Sequence, residues 1–285
     1  MKIFSYFIII QFLIGCYSLE KKYNYGEPFH SSPDIWTEDN PQFESGKPYA
    51  ILDEIGDYVF SLPSKLILLN WKADNHKISN ENKKILENYI RENNIRSVKV
   101  RFNQYAPGDE LLRLVANNKI HPVVKYTAGL LGWLMYSLIP ERLFAGIVGG
   151  DHYNPFSNSL HIYSDLASVL IHEGGHAKDF NQRESATLYA AIYSIPIIGT
   201  LYHESVASDD ALSYFAEKGD DKSIEESYKI LVPAYSTYLG GSFGDLLQTP
   251  YSIAAVVPGH IYGRYKACQF QRRLSAPSDD TTPKN

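Results

Sequence analysis

Residues 170–180 read Leu-Ile-His-Glu-Gly-Gly-His-Ala-Lys-Asp-Phe. Val169, Leu170 and Ile171 form an apolar approach to the two histidines, which predicts an internal helix. Residues four apart share a helix face, so His172 and His176 stand side by side. Two imidazoles so placed can hold one zinc ion. Glu173, beside the first of them, is positioned to take a proton from a zinc-bound water as general base. A helix with two partly exposed histidines and a capping glutamate is the plain alternative. Gly174 and Gly175 inside the helix cost about 1 kcal/mol each relative to alanine, and close packing beside a metal site is the expected reason.

A zinc site of this kind needs a third protein ligand. A third histidine six residues beyond His176 is excluded, because position 182 is Gln. Downstream, residues 202–211 read Tyr-His-Glu-Ser-Val-Ala-Ser-Asp-Asp-Ala. Together with the His172–His176 motif this segment resembles the gluzincin branch of zinc metallopeptidases, in which a second helix supplies a glutamate ligand. Glu204, Ala207, Ser208 and Ala211 match that helix, and the resemblance implies Glu204 as the third ligand. Ser208 stands where some relatives have an aspartate that orients a zinc histidine, so Ser208 or the adjacent Asp209 is expected behind the ligands. His203, Glu184 and Asp179 are rival ligands; His203 is also a potential donor to the transition state, and Asp179 a partner for solvent or Arg183. The resemblance spans residues 158–211. It implies an α+β, predominantly helical zincin-like domain with a small sheet and several apolar helices, zinc as cofactor, and peptide hydrolysis. A non-catalytic, zinc-stabilised scaffold or binding protein is the alternative, and hydrolysis of a non-peptide amide a third reading.

Residues 158–164 read as a strand just before the zinc helix and, by the same resemblance, as the edge strand that pairs with an extended peptide. Tyr153, Asn154 and Asn158 are expected at its turn, and Asp165 as the cap of the zinc helix. A donor to the developing oxyanion is expected among Tyr235, Tyr238, His260, Tyr262 and Arg264, with His260 also readable as a satisfied buried histidine; His121 and His152 are weaker candidates.

The 285-residue chain has two cysteines and a net charge of −5. Its mild acidity argues against a nucleic-acid partner. Lys2 and the apolar run Phe4–Ile14 read as a signal peptide. Leu13-Ile14-Gly15-Cys16 resembles a lipobox, which implies removal of residues 1–15, lipidation of Cys16, and a membrane-anchored lipoprotein of the bacterial cell envelope acting on a peptide or protein there. Cys268 is then the one remaining thiol, and no intrachain disulfide forms. Residues 16–62 read as a tether and irregular segment, 63–269 as one catalytic domain, and 270–285 as a disordered tail. Within the domain a strand is expected at Leu66–Asn70, a helix from Ser79, a half-buried strand at 97–103 with Val98, Val100 and Phe102 inward, and a short helix from Pro107. Uncharged stretches at 126–140, 185–202 and 230–263 (Asp245 apart) either build a thick core or dip into lipid; the first fits a buried helix. If His176 and Glu204 share a metal, the stretch 185–202 must fold back, near Pro196, because an unbroken 18-residue helix would be roughly 27 Å long.

Overall fold

The computed structural model describes residues 22–27, 36–195, 198–247 and 255–275. The expected signal segment, Cys16 and the residues after 275 lie outside the described residues. The fold is α+β: mostly helical, with one small mixed sheet.

Four short strands form the sheet: β1 (Phe43–Ser45), β2 (Lys99–Phe102), β3 (His152–Asn154) and β4 (Ser159–Ile162), in the order β1-β2-β4-β3. The pairs β1–β2 and β2–β4 are parallel, and β3–β4 is an antiparallel hairpin. The strand expected before the His172–His176 helix is therefore present, but it is interior, with all four residues buried; the edge on that side is β3. The reason lies in β4's second face. Leu160 and Ile162 enter the apolar core, while Ser159 and His161 are buried against the Glu110 carboxylate.

The expectation of a half-buried β2 is likewise corrected. Val100 and Phe102 do join the core, but Lys99 and Arg101 on the opposite face are also buried. Lys99 Nζ reaches Glu44 at 2.8 Å and the Pro41 carbonyl at 2.6 Å. Arg101 pairs with Glu110 at 2.7 Å and with Asp109. Buried charge is tolerable where it is paired and hydrogen-bonded.

The described residues also form twelve helices. They are α1 (Ala50–Ile55, continuing as a wider turn over Gly56–Phe60), α2 (Leu62–Leu68), α3 (Asn80–Glu92), α4 (Pro107–Ala116), α5 (Pro122–Val124, continuing to Gly129), α6 (Leu130–Leu138), α7 (Glu141–Phe144), α8 (Ala167–Gln182), α9 (Ala186–Tyr193), α10 (Ile198–Lys218), α11 (Asp221–Leu247) and α12 (Val256–Ser275). The helix from Ser79 forms as expected, and the Ser79 side chain accepts from Asn82 N at its start. Leu66–Asn70 is not a strand: Leu62–Leu68 is helical and ends with Leu69 in the left-handed region at φ 50°. The stretch before residue 63 is more ordered than a tether, since it supplies β1 and α1. Tyr23 joins the core, and Lys178 Nζ donates to its hydroxyl at 2.9 Å. At the other end α12 runs to Ser275, so the polar tail expected from 270 begins inside a helix.

Among the described residues no helix is long and apolar enough to cross a membrane. The uncharged stretch 185–202 breaks between α9 and α10, as expected if His176 and Glu204 share a metal; Pro196 itself lies outside the described residues. The stretch 126–140 departs from expectation. Tyr136 is buried, but Leu131, Leu134, Met135 and Leu138 are exposed. The helix α6 rests on α4 and is covered on one side only.

Candidate metal centre

The helix that carries His172 and His176, α8, packs against α3, α10, α11 and the β3–β4 hairpin, and almost every residue of its first three turns is buried. Asp165 does not cap it. That carboxylate accepts from the backbone and hydroxyl of Ser79 and from Asn82 Nδ2, so it anchors the start of α3 instead. Glu226 on α11 does the capping of α8, accepting from Ser168 N and Ser168 Oγ at 2.9 Å each. A carboxylate at a helix N-terminus satisfies free N–H groups and opposes the helix dipole; this one comes from 58 residues away in sequence.

The two glycines explain how α8 meets its neighbours. A Cβ on Gly174 would fall 2.6 Å from the Tyr89 ring on α3, and a Cβ on Gly175 would fall 3.0 Å from Ala207 Cα on α10. The expected close packing is there, and at Gly175 it is backbone that approaches. On α10 the positions Glu204, Ala207, Ser208 and Ala211 follow helical spacing; Ala207, Ser208 and Ala211 are buried, and the first three touch α8.

The consequence is convergence. His172 Nε2 lies 3.0 Å from Glu204 Oε2, and His176 Nε2 lies 3.4 Å from Glu204 Oε1. One donor atom from each of His172, His176 and Glu204 falls within 4.8 Å of the others. Ser208 Oγ sits 3.1 Å from His172 Nδ1. When Nδ1 donates to that hydroxyl, the Nε2 lone pair is turned toward Glu204, the outer support a ligating histidine needs. The donor set of two nitrogens and one carboxylate oxygen, with space beside it, fits a tetrahedral divalent ion with one open position.

That space is a cleft of about 280 Å³, lined by His172, Glu173 and Glu204 together with Ser208, Asp151 and Tyr238. Glu173 is buried at its rim. Burial raises its carboxyl above the ordinary range, against the opposing pull of His172 and His176 and with help from Glu204 and Asp151. Burial also pushes Glu204 up, but His176 and His172 more than reverse this and hold it well below the usual carboxylate range. His176 is raised: burial lowers it, and the Glu204 carboxylate overcomes that.

The remaining candidates separate clearly. His203 is buried outside the triad, 3.5 Å from Asp179 and with its ring tilted against that of Tyr189 at 4.2 Å. Asp179 also pairs with Arg183 at 2.7 Å. Glu184 is exposed beyond the end of α8. Asp209 lines a different cavity, with Lys178 and Asp210. His260 is not at the site: its Nε2 donates to the Ile67 carbonyl at 2.7 Å, and Arg264 is 2.6 Å from its Nδ1. Of the expected oxyanion donors, Tyr235 and Tyr238 line the cleft. Tyr235 OH is directed to the Leu201 carbonyl at 3.4 Å. His121 caps α5 through Val123 N.

Two neighbours were not singled out in the sequence. Tyr193 places its ring 6.2 Å from that of His176 and donates to the Tyr153 carbonyl at 3.0 Å. Asp151 accepts from Tyr163 N and Ser164 N, fixing the loop that forms one wall of the cleft. The Gly149-Gly150 pair just before it was the available signal.

Comparison with protein-family models, with curated proteins and with solved structures gives no match.

Proposed function

We propose that the chain is a zinc-dependent hydrolase with a zincin-like, gluzincin-type site, acting as a metallopeptidase. The observation that carries this reading is the meeting of His172, His176 and Glu204 around a point beside which Glu173 lies buried in an open cleft. Zinc, when bound there, polarises a carbonyl and lowers the pKa of water. The chain's own residues do the rest. Glu173, with its raised proton affinity, accepts a proton from the attacking water and returns it to the leaving amine. Ser208 keeps His172 in the tautomer that presents Nε2. Tyr238, which also lines the cleft, is the hydroxyl donor for charge developing on the substrate oxygen. A structural zinc site has no use for a base aligned in this way, which favours hydrolysis over a scaffold role.

The lipobox-like Leu13-Ile14-Gly15-Cys16 supports a place in the bacterial cell envelope, anchored through a lipidated Cys16, with peptides or proteins there as substrates. The test is metal analysis combined with peptide-library cleavage for wild type, Glu173→Gln and Glu204→Ala. Glu173→Gln is expected to keep zinc and lose turnover, and Glu204→Ala to lose zinc. Undiminished cleavage by Glu173→Gln would overturn the reading.

A further inference from the structure

A second cluster lies across the sheet hairpin. His152 on β3 and His161 on β4 are directly paired cross-strand neighbours. Their rings stack at 4.6 Å with an interplanar angle of 2°. Glu141, at the start of α7, brings its carboxylate to 3.5 Å from His152 Nδ1. One donor atom from each of these three residues lies within 4.8 Å of the others.

The hydrogen bonds around the cluster fix which nitrogens are free. His152 Nδ1 is 3.0 Å from the Gly150 carbonyl, an acceptor, so Nδ1 carries the proton and Nε2 the lone pair. His161 Nε2 faces Ser159 Oγ at 3.3 Å and Glu110 Oε2 at 3.5 Å. The Ser159 hydroxyl is itself donated to Glu110 at 2.6 Å, so Nε2 is the protonated nitrogen. His161 Nδ1 then presents a lone pair, and it is buried without a hydrogen-bond partner, as is Glu141 Oε2. Buried polar atoms are satisfied in the great majority of cases, so two in one cluster require an explanation. An imidazole whose far nitrogen donates to a carboxylate or a carbonyl is the usual form of a metal-ligating histidine.

We propose that Glu141, His152 and His161 form a second metal site, selective for a first-row divalent ion such as zinc or cobalt. Two imidazoles and one carboxylate are the donor types such ions take. A tetrahedral ion at about 2.1 Å holds its donors roughly 3.4 Å apart, so the donor atoms close on it by about 1.4 Å at most, and one of the two parallel rings turns so that both in-plane lone pairs meet the ion. Glu141 and His152 also line a cavity of about 330 Å³, which leaves room for water to complete the coordination.

The test reads this site without the first. The full chain carrying His172→Ala and His176→Ala is stripped with chelator and titrated with Co²⁺, with binding followed by equilibrium dialysis and visible absorption. One Co²⁺ per chain is expected, with affinity lowered at least tenfold by adding either Glu141→Gln or His152→Gln. Wild type should bind two, and Glu141→Gln alone one. Circular dichroism confirms folding in each case; the two substituted side chains border the cavity, which spares the fully buried His161. A folded His172→Ala/His176→Ala chain that binds no Co²⁺, or that keeps it in Glu141→Gln and His152→Gln alike, overturns the second site whatever the fate of the first.

Discussion

Substitution of Gly175 by alanine isolates the contact on which the metal centre depends. The added methyl would lie 3.0 Å from Ala207 Cα and 3.1 Å from the Ala207 carbonyl oxygen, where about 3.4–4 Å is comfortable. Both obstacles are backbone, so α10 must move by several tenths of an ångström. Glu204 sits three residues before Ala207 on that helix and moves with it. Coordination tolerates about 0.2 Å, so the carboxylate no longer meets the ion together with both histidines. Overpacking costs about 1–3 kcal/mol, and replacing a helical glycine returns about 1 kcal/mol. The net loss is about 0–2 kcal/mol, a fall in Tm of up to roughly 8 °C for a chain of this size. Zinc affinity should fall at least tenfold, about 1.4 kcal/mol. Isothermal titration of the stripped protein with Zn²⁺ and thermal melts measure the two quantities. Gly174→Ala is the control. Its methyl meets the Tyr89 ring on α3, so it should lower Tm while leaving zinc affinity within about threefold. If Gly175→Ala binds zinc as wild type does and melts higher, helix propensity outweighs the contact and the argument for a required close approach fails.

Three further outcomes are expected. Ser208→Ala removes the oxygen 3.1 Å from His172 Nδ1 and should weaken zinc by about 10–100-fold with the fold intact; competition against a chelating dye measures this. Tyr238→Phe should lower kcat by about 10²–10³ with KM nearly unchanged, as read from steady-state kinetics on a cleaved peptide; an equal loss in KM would assign Tyr238 to substrate binding. Asp74 is raised to about 7 by burial and by the Asp151 charge. The unfolded chain releases that proton near pH 4, so the folded state holds the extra proton between about 4 and 7, and this group's contribution to stability declines as pH rises through that window. Asp74→Asn should flatten the decline, giving urea midpoints at pH 5 and pH 8 closer together than in wild type.

The histidine pair of the candidate centre was legible as spacing, and Glu204 as its third partner through the gluzincin resemblance. His172 and His176 share a face because a helix turns every 3.6 residues. Glu204, Ala207, Ser208 and Ala211 share one for the same reason; Gly175 marks where the second helix presses on the first, and Gly174 where α3 does. The break in the stretch 185–202 followed from requiring His176 and Glu204 to meet. Long-range partners were not legible. Asp165 reads as a cap for the helix it precedes, yet it binds Ser79 and Asn82, while Glu226 caps from a distant helix. His260 in an apolar stretch reads either as an active-site donor or as a satisfied histidine, and only the structure supplies its acceptor, the Ile67 carbonyl.

Local periodicity and side-chain chemistry thus determined, in the sequence alone, which residues can act together on one element: a histidine pair, its neighbouring carboxylate and the small-residue face that meets them. Only the tertiary structure decided which elements face one another. It buried Lys99 and Arg101 by supplying Glu44, Asp109 and Glu110, left one side of the uncharged helix α6 uncovered, and paired His152 with His161 beside Glu141. The physical reason is that burial and pairing are set by what arrives from elsewhere in the chain, and no repeat of 3.6 or 2 residues encodes that arrival.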